Sequence, residues 1–224
     1  MMKITEIQPY IERYQLQVLL PHIELIQLKK HQATDIILSE GSEIDGLYLL
    51  VNGKCRVTTN EVTGKSLLLR FCSPFSILGD IECVQNVPVQ SEVLAEEECT
   101  FLFIAIEHYK NALSLDSEFL QLLLKELAYK LQTCTTASRV NLLASVETRF
   151  ASYLCTIRSD QAFAKQLTTN NVEQIASLIG TTPRHLNRVI KKLNEQGILQ
   201  KEQHKLTVNK WPAIEILSEG IRYE

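Results

Sequence analysis

The chain has 224 residues, is 45% hydrophobic and 22% charged, and carries a formal net charge of −3, a composition too apolar for a disordered polymer and compatible with one large or two modest domains. No run of about 18 uninterrupted apolar residues is present, which excludes a membrane-spanning helix. Glu6, Glu12, Arg13, Glu24, Lys29 and Lys30 break up the N-terminal region, which removes the apolar core that a signal peptide needs and points to a cytoplasmic protein.

The N-terminal domain is expected to open with a helix. From about Ile36 to Ile106 the pattern then becomes strand-like. Asp35–Leu38, Leu47–Val51, Cys55–Thr59, Ser66–Phe71, Ser91–Ala95 and Thr100–Ile106 are each apolar or alternating. Glu40-Gly41-Ser42, Asp45-Gly46, Asn52-Gly53 and Thr63-Gly64-Lys65 supply the turns. Short strands bury too little apolar surface to survive singly, so the set predicts an antiparallel barrel or sandwich.

Ser117 to Leu143 contains no Gly or Pro. Leu120, Leu124, Leu127, Leu131, Cys134 and Ser138 follow alternating four- and three-residue steps, a heptad-like seam, and Phe119, Leu122 and Leu123 form a second apolar face. A helix of this length runs about 40 Å. Burial in the core of a monomer is one reading. One small barrel cannot cover two apolar faces over that distance, so the seam Leu120, Leu124, Leu127 and Leu131 is read as a homodimer contact. Ser145 resembles an N-cap with Glu147 in the first turn, which places a hinge at Leu143–Ser145.

Asn171 to Val208 is the most specific stretch. Asn171 and Gln174 make a capping-box-like start, and Val172, Ile175, Ala176 and Ile179 share one face. Gly180 suits the positive φ of a tight turn. Thr182 and Pro183 then read as N-cap and first residue of a second helix, with Leu186, Val189, Ile190 and Leu193 inward. This is helix-turn-helix spacing. Ile198 to Val208 adds two short strands, a wing with a basic tip. The second helix leaves Arg184, His185, Arg188, Lys191 and Lys192 outside. Arg184 and Arg188, one turn apart, suit bidentate contacts to guanine in a major groove. The Thr181 and Thr182 hydroxyls suit phosphate oxygens, and Lys191, Lys192 and Lys201 suit sequence-independent attraction. Charge supports the division. Residues 1–144 hold 12 Lys+Arg against 18 Asp+Glu, whereas residues 145–224 hold 11 against 8, so only the C-terminal part is expected to meet a polyanion.

Strand-rich domain, long helix, hinge and winged helix-turn-helix, in this order, resemble the cyclic-AMP receptor protein (Crp-Fnr) family of bacterial transcription regulators, and within it the YeiL-like subgroup. The resemblance runs from about Ile36 to Ile216. It is carried by Asp45 to Gly53, Gly64-Lys65, Ile77-Leu-Gly-Asp-Ile81, Glu97 to Ile104 and Gly180 to Leu193. It implies an α+β protein: an antiparallel β-barrel of jelly-roll, cyclic-nucleotide-binding-like type at 1–116, a dimerisation helix at 117–144 and a winged helix-turn-helix at 145–224. The implied function is a homodimeric regulator of inverted-repeat double-stranded DNA, modulated through its barrel, with RNA polymerase as a further partner. Constitutive DNA binding without an effector is the alternative.

The family's ligand cassette maps onto Gly79, Asp80, Gln90 and Ser91, and the helix positions that touch the base onto Cys134 and Thr135. Two departures weaken nucleotide binding. Gln90 replaces the arginine that pairs with the cyclic phosphate, and Asp80 replaces a longer glutamate. In the recognition helix Arg184 stands where the family usually has glutamate, so the familiar operator does not carry over.

No cofactor is expected. The six cysteines (Cys55, Cys72, Cys83, Cys99, Cys134, Cys155) lie no closer than eleven residues apart and none precedes Cys55, which removes the clustered ligands of an iron–sulfur centre. His22, His31 and His108 are isolated in sequence, which argues against haem. A cupin-like metal enzyme would need paired histidines near a glutamate, and no such set exists. Neither catalytic nor metal-binding residues are therefore assigned.

Overall fold

The computed structural model describes residues 2–60, 66–158, 167–168, 172–202 and 205–222. The expected turn at Thr63-Gly64-Lys65, the cap residue Asn171 and the wing tip at 203–204 lie outside these residues. The chain forms two compact units, Met1–Thr59 with Phe71–Gln132, and Asn60–Arg70 with Thr133–Glu224.

In the first unit α1 (Met2–Arg13) and a 3-10 segment (Gln17–Leu25) precede β1 (Gln27–His31) and β2 (Ile36–Leu38). In chain order then follow β3 (Gly46–Asn52), β4 (Cys55–Asn60), β5 (Ser66–Cys72), β6 (Ser76–Leu78), α2 (Asp80–Gln85), β7 (Glu92–Ala95), β8 (Cys99–Ala105), α3 (Ile106–Asn111) and α4 (Ser117–Leu143), with residues 66–70 of β5 and 133–143 of α4 counted in the second unit. The strands make two four-stranded sheets in the orders β1-β8-β3-β6 and β2-β7-β4-β5. The described strand pairings in both are antiparallel. The jelly roll is thus a two-sheet sandwich rather than a continuously hydrogen-bonded barrel. β2 and β6 hold three residues each and lie at sheet edges.

β3 shows how the sequence builds this core. Successive side chains alternate between faces, and Leu47, Leu49 and Val51 join Ile7, Ile11, Leu102, Ile104, Phe119 and Leu123 in a core between sheet and helices. Tyr48 and Leu50 point the other way and pack with Val93, Ala95, Phe101 and Phe103 between the two sheets. Burial on both faces explains why β3 reads as an unbroken apolar run. β1 has the sequence Gln-Leu-Lys-Lys-His and lies at a sheet edge, where polar residues are tolerated.

The second unit holds α5 (Val146–Ile157), β9 (Leu167–Thr168), α6 (Val172–Leu178), α7 (Pro183–Glu195), β10 (Leu199–Glu202), β11 (Lys205–Val208) and α8 (Trp211–Leu217). Phe150, Leu154, Ile175, Ala176, Ile179, Leu186, Ile190, Leu193, Leu206 and Ile214 are buried. β10 and β11 form the expected antiparallel wing, and the two-residue β9 adds a third strand that the sequence pattern did not announce. No described helix is long and apolar enough to cross a membrane.

Candidate nucleic-acid interface and ligand cassette

The second unit presents α7 as an exposed basic helix on a fixed base. Ser145 caps α5, accepting the Thr148 N–H at 3.0 Å. Gly180 adopts φ +64° between α6 and α7, a conformation that costs little only without a Cβ. Thr182 caps α7 by accepting the His185 N–H at 3.3 Å, and Pro183 opens the helix. Leu186, Val189, Ile190 and Leu193 are buried beneath it.

On the opposite face Thr182, Arg184, His185, Arg188, Lys191 and Lys192 are exposed, and Thr181 is half-buried. Among the described residues Arg184 and Arg188 have no hydrogen-bonded or ion-paired partner, so their guanidinium groups are available. The lysines differ. Lys191 lies 3.8 Å from Glu195, Lys192 donates to Glu147 Oε2 at 2.6 Å, and Lys201 donates from the wing to Asn187 Oδ1 at 3.2 Å. Sequence reasoning read Glu147 only as a first-turn residue of α5 and missed Arg149 and Asn187. Arg149 Nη1 donates to the carbonyls of Ile179 at 2.7 Å and Gly180 at 3.0 Å. The signal available was an arginine one turn past the N-cap, beside an otherwise apolar stripe.

In the first unit the cassette residues converge at α2. Gly79 has φ +79°, and a Cβ there would stand 2.6 Å from the Gly46 carbonyl oxygen, so this turn requires glycine. Asp80 is 1% exposed and its Oδ1 accepts a hydrogen bond from the Lys130 ammonium of α4. Lys130 also donates to the Ile77 carbonyl at 2.5 Å. Asp80 Oδ2 is buried without a hydrogen-bond partner among the described residues. Glu82, also buried, accepts the Gln90 backbone N–H on Oε1 at 3.0 Å, while the Gln90 side-chain amide donates to the Pro88 carbonyl at 2.7 Å. Ser91 is half-buried.

The cassette is therefore acidic, and most of its polar groups, Asp80 Oδ2 excepted, are satisfied by the protein's own side chains and backbone. Burial pushes the neighbouring Cys83 thiol up to about 12, and the carboxylates of Glu82 and Asp80 add to that. Lys130 was not anticipated. Its signal lay in the helix register: it falls seven residues after Leu123 on the stripe that buries Phe119 and Leu123, and an ionisable residue on such a stripe calls for a buried partner. Cys134 is half-buried and Thr135 exposed; both belong to the second unit.

Along α4 the seam is mostly open. Leu120, Leu124 and Leu131 are 41%, 67% and 70% exposed, whereas Leu127 packs partly against the helix-side core. Phe119 and Leu123 are buried there and Leu122 is partly so, which matches the expected second face.

Two family models match this chain: a cyclic nucleotide-binding domain over residues 28–116 and a Crp-like helix-turn-helix domain over residues 148–216. The regulatory protein YeiL of Escherichia coli O157:H7 is 26% identical over 171 residues, 76% of this chain and 76% of that protein. The cAMP-activated global transcriptional regulator CRP of Salmonella typhimurium is 19% identical over 179 residues, 77% of this chain and 84% of that protein. Among solved structures, a CRP-family transcriptional regulator from Thermus thermophilus superposes with a TM-score of 0.71 at 19% identity, covering 88% of this chain and 98% of that chain.

Proposed function

Since the chain belongs to the Crp-Fnr family of transcription regulators, we propose that it acts in the cytoplasm as a homodimer on inverted-repeat DNA. The exposed leucines of α4 make the dimer contact, and one α7 from each protomer enters one of two successive major grooves, about 34 Å apart. Arg184 and Arg188 read bases, His185 lies beside them, and Thr181, Thr182, Lys191, Lys192 and Lys201 hold phosphates or strengthen attraction to them. RNA polymerase is the second macromolecular partner, met once the dimer sits near a promoter. The observation that carries this reading is α7 itself, a capped and exposed helix with two arginines one turn apart that have no partner among the described residues.

The sandwich unit is the regulatory one, with Gly79, Asp80, Gln90 and Ser91 as its proposed effector residues; Cys134 and Thr135, which the family resemblance adds, belong to the second unit. One observation favours the second reading, constitutive binding without a small-molecule effector: the cassette's polar groups are mostly satisfied by the protein's own side chains.

Selection of bound duplexes from a random-sequence pool, with sedimentation of the protein alone and with the selected duplex, tests the proposal. A palindromic consensus with half-sites about one helical turn apart, bound by two protomers, is expected. A monomer at micromolar concentration that stays monomeric on the duplex removes the arrangement.

A further inference from the structure

We infer that Arg149 and the Glu147–Lys192 pair form a brace that sets the angle of α7, so that all three are positioning residues for DNA recognition. This rests on α7 being the recognition helix, as proposed above.

Two charged contacts leave the first turns of α5 toward different parts of the helix-turn-helix. Arg149 Nη1 bonds the carbonyls of Ile179 and Gly180. These belong to the turn after α6, where carbonyls have lost their intrahelical N–H partners. The contact explains Gly180 from a second side. A Cβ there would lie 3.3 Å from Arg149 Nη1, so the glycine that supplies the turn's positive φ also leaves room for the guanidinium. Arg149 Nε is buried without a hydrogen-bond partner among the described residues. The guanidinium's observed hydrogen bonds to the turn are made through its terminal Nη1.

The second contact is Glu147 Oε2 accepting from Lys192 Nζ at 2.6 Å. Lys192 lies in the last turn of α7, so one contact holds the turn that leads into the helix and the other holds the helix's C-terminal end. A single attachment would let α7 pivot on its apolar face; two define its direction. Lys192 therefore directs its ammonium to α5 and acts as a positioning residue rather than a phosphate contact. Through the brace, the recognition helix is tied to the first turns of α5.

The test uses the full-length protein, the duplex selected by the wild type, a scrambled duplex of equal length, a salt series and thermal melting. Arg149→Met is expected to lower affinity for the selected duplex about ten-fold or more while leaving the scrambled duplex and the salt slope unchanged. Arg149→Lys should recover part of that loss. Lys192→Gln should behave like Arg149→Met, and Glu147→Lys combined with Lys192→Glu should restore affinity for the selected duplex. The exchange separates the two roles of Lys192, since a glutamate can rebuild an ion pair and cannot bind phosphate.

A salt slope reduced by about one unit in Lys192→Gln, with the exchanged pair weaker still, identifies a phosphate contact and overturns the brace. If Arg149→Met does not fold, the Glu147–Lys192 exchange decides alone. A wild type that selects no site overturns the recognition-helix reading itself, whereas undiminished selectivity in every variant overturns only the brace.

Discussion

Arg184 and Arg188 are the two side chains proposed to choose a DNA sequence. Each is exposed, each carries a planar set of donors, and neither has a partner among the described residues, so neither must give up a protein contact on binding. Replacing Arg188 with Ala should cost about 1–3 kcal/mol of specific binding and relax base preference at one position in each half-site. Lys201 reaches Asn187 from the wing and offers a point charge. Lys201→Gln should weaken all duplexes alike and flatten the salt dependence. An unchanged selected sequence and affinity in Arg188→Ala sinks the base-reading assignment. Lys130 makes a different kind of residue-scale claim. Its ion pair with Asp80 is almost fully enclosed, and removing one partner strands the other charge away from water. Lys130→Met should destabilise the protein by about 3–5 kcal/mol in denaturant unfolding, and Lys130→Met with Asp80→Leu by clearly less. Equal losses in both variants would mean that packing, not charge, sets the cost.

Elements show how far the sequence could be read and where it stopped. α4, α7, the wing and most strands were legible because each repeats one physical signal: a helical stripe, an N-cap before proline, or alternation between glycine turns. The seam residues Leu124 and Leu131 were legible for the same reason, and their exposure supports the use proposed for them. Leu124→Glu with Leu131→Glu should turn a sedimenting dimer into a monomer without lowering the melting temperature, since neither side chain belongs to the core; a dimer that persists places the contact elsewhere. Long-range pairings were not legible. Asp80 meets Lys130 fifty residues away, and His22 of the 3-10 segment meets His108 of α3, Nδ1 to Nε2 at 3.1 Å. Sequence separation hides such pairs because nothing in either local pattern names its partner. The histidine pair has a consequence for pH. Burial, and then the facing His22, hold His108 below its ordinary 6.5. Burial also lowers His31, with Lys29 assisting and Asp35 opposing. An unfolded histidine takes up its proton near 6.5, while these two wait for lower pH. The unfolded chain therefore binds more protons below that value, and stability falls as pH falls. The melting temperature should drop from about pH 7.5 to about pH 5.5, and His108→Gln should shrink the drop. A melting temperature flat over that interval removes the argument.

At the scale of the whole molecule, charge and cassette together decide what the protein answers to. Residues 1–144 carry a net −6 and residues 145–224 a net +3, so DNA attracts the second part and repels the first, which steers the basic face onto the duplex. The same acidity reaches into the cassette. A cyclic nucleotide brings a phosphodiester anion, and binding one requires either a free cation or free N–H donors in a buried site. Gln90 offers an uncharged amide already turned to the Pro88 carbonyl, its backbone N–H is taken by Glu82, and the nearby ammonium of Lys130 is neutralised by Asp80. The anion would meet two buried carboxylates in place of a guanidinium. Cyclic AMP is therefore expected not to act as effector, even though the chain shares its family with a cAMP-activated relative. Calorimetry with the full-length protein should give no dissociation constant tighter than about 1 mM, and saturating cyclic AMP should leave binding to the selected duplex unchanged. Gln90→Arg should gain measurable binding, and Gln90→Arg with Glu82→Gln should gain more, since the second change frees the backbone N–H and removes a like charge. Micromolar binding by the wild type, accompanied by tighter binding to the selected duplex, would show that the cassette opens to a nucleotide despite its own carboxylates.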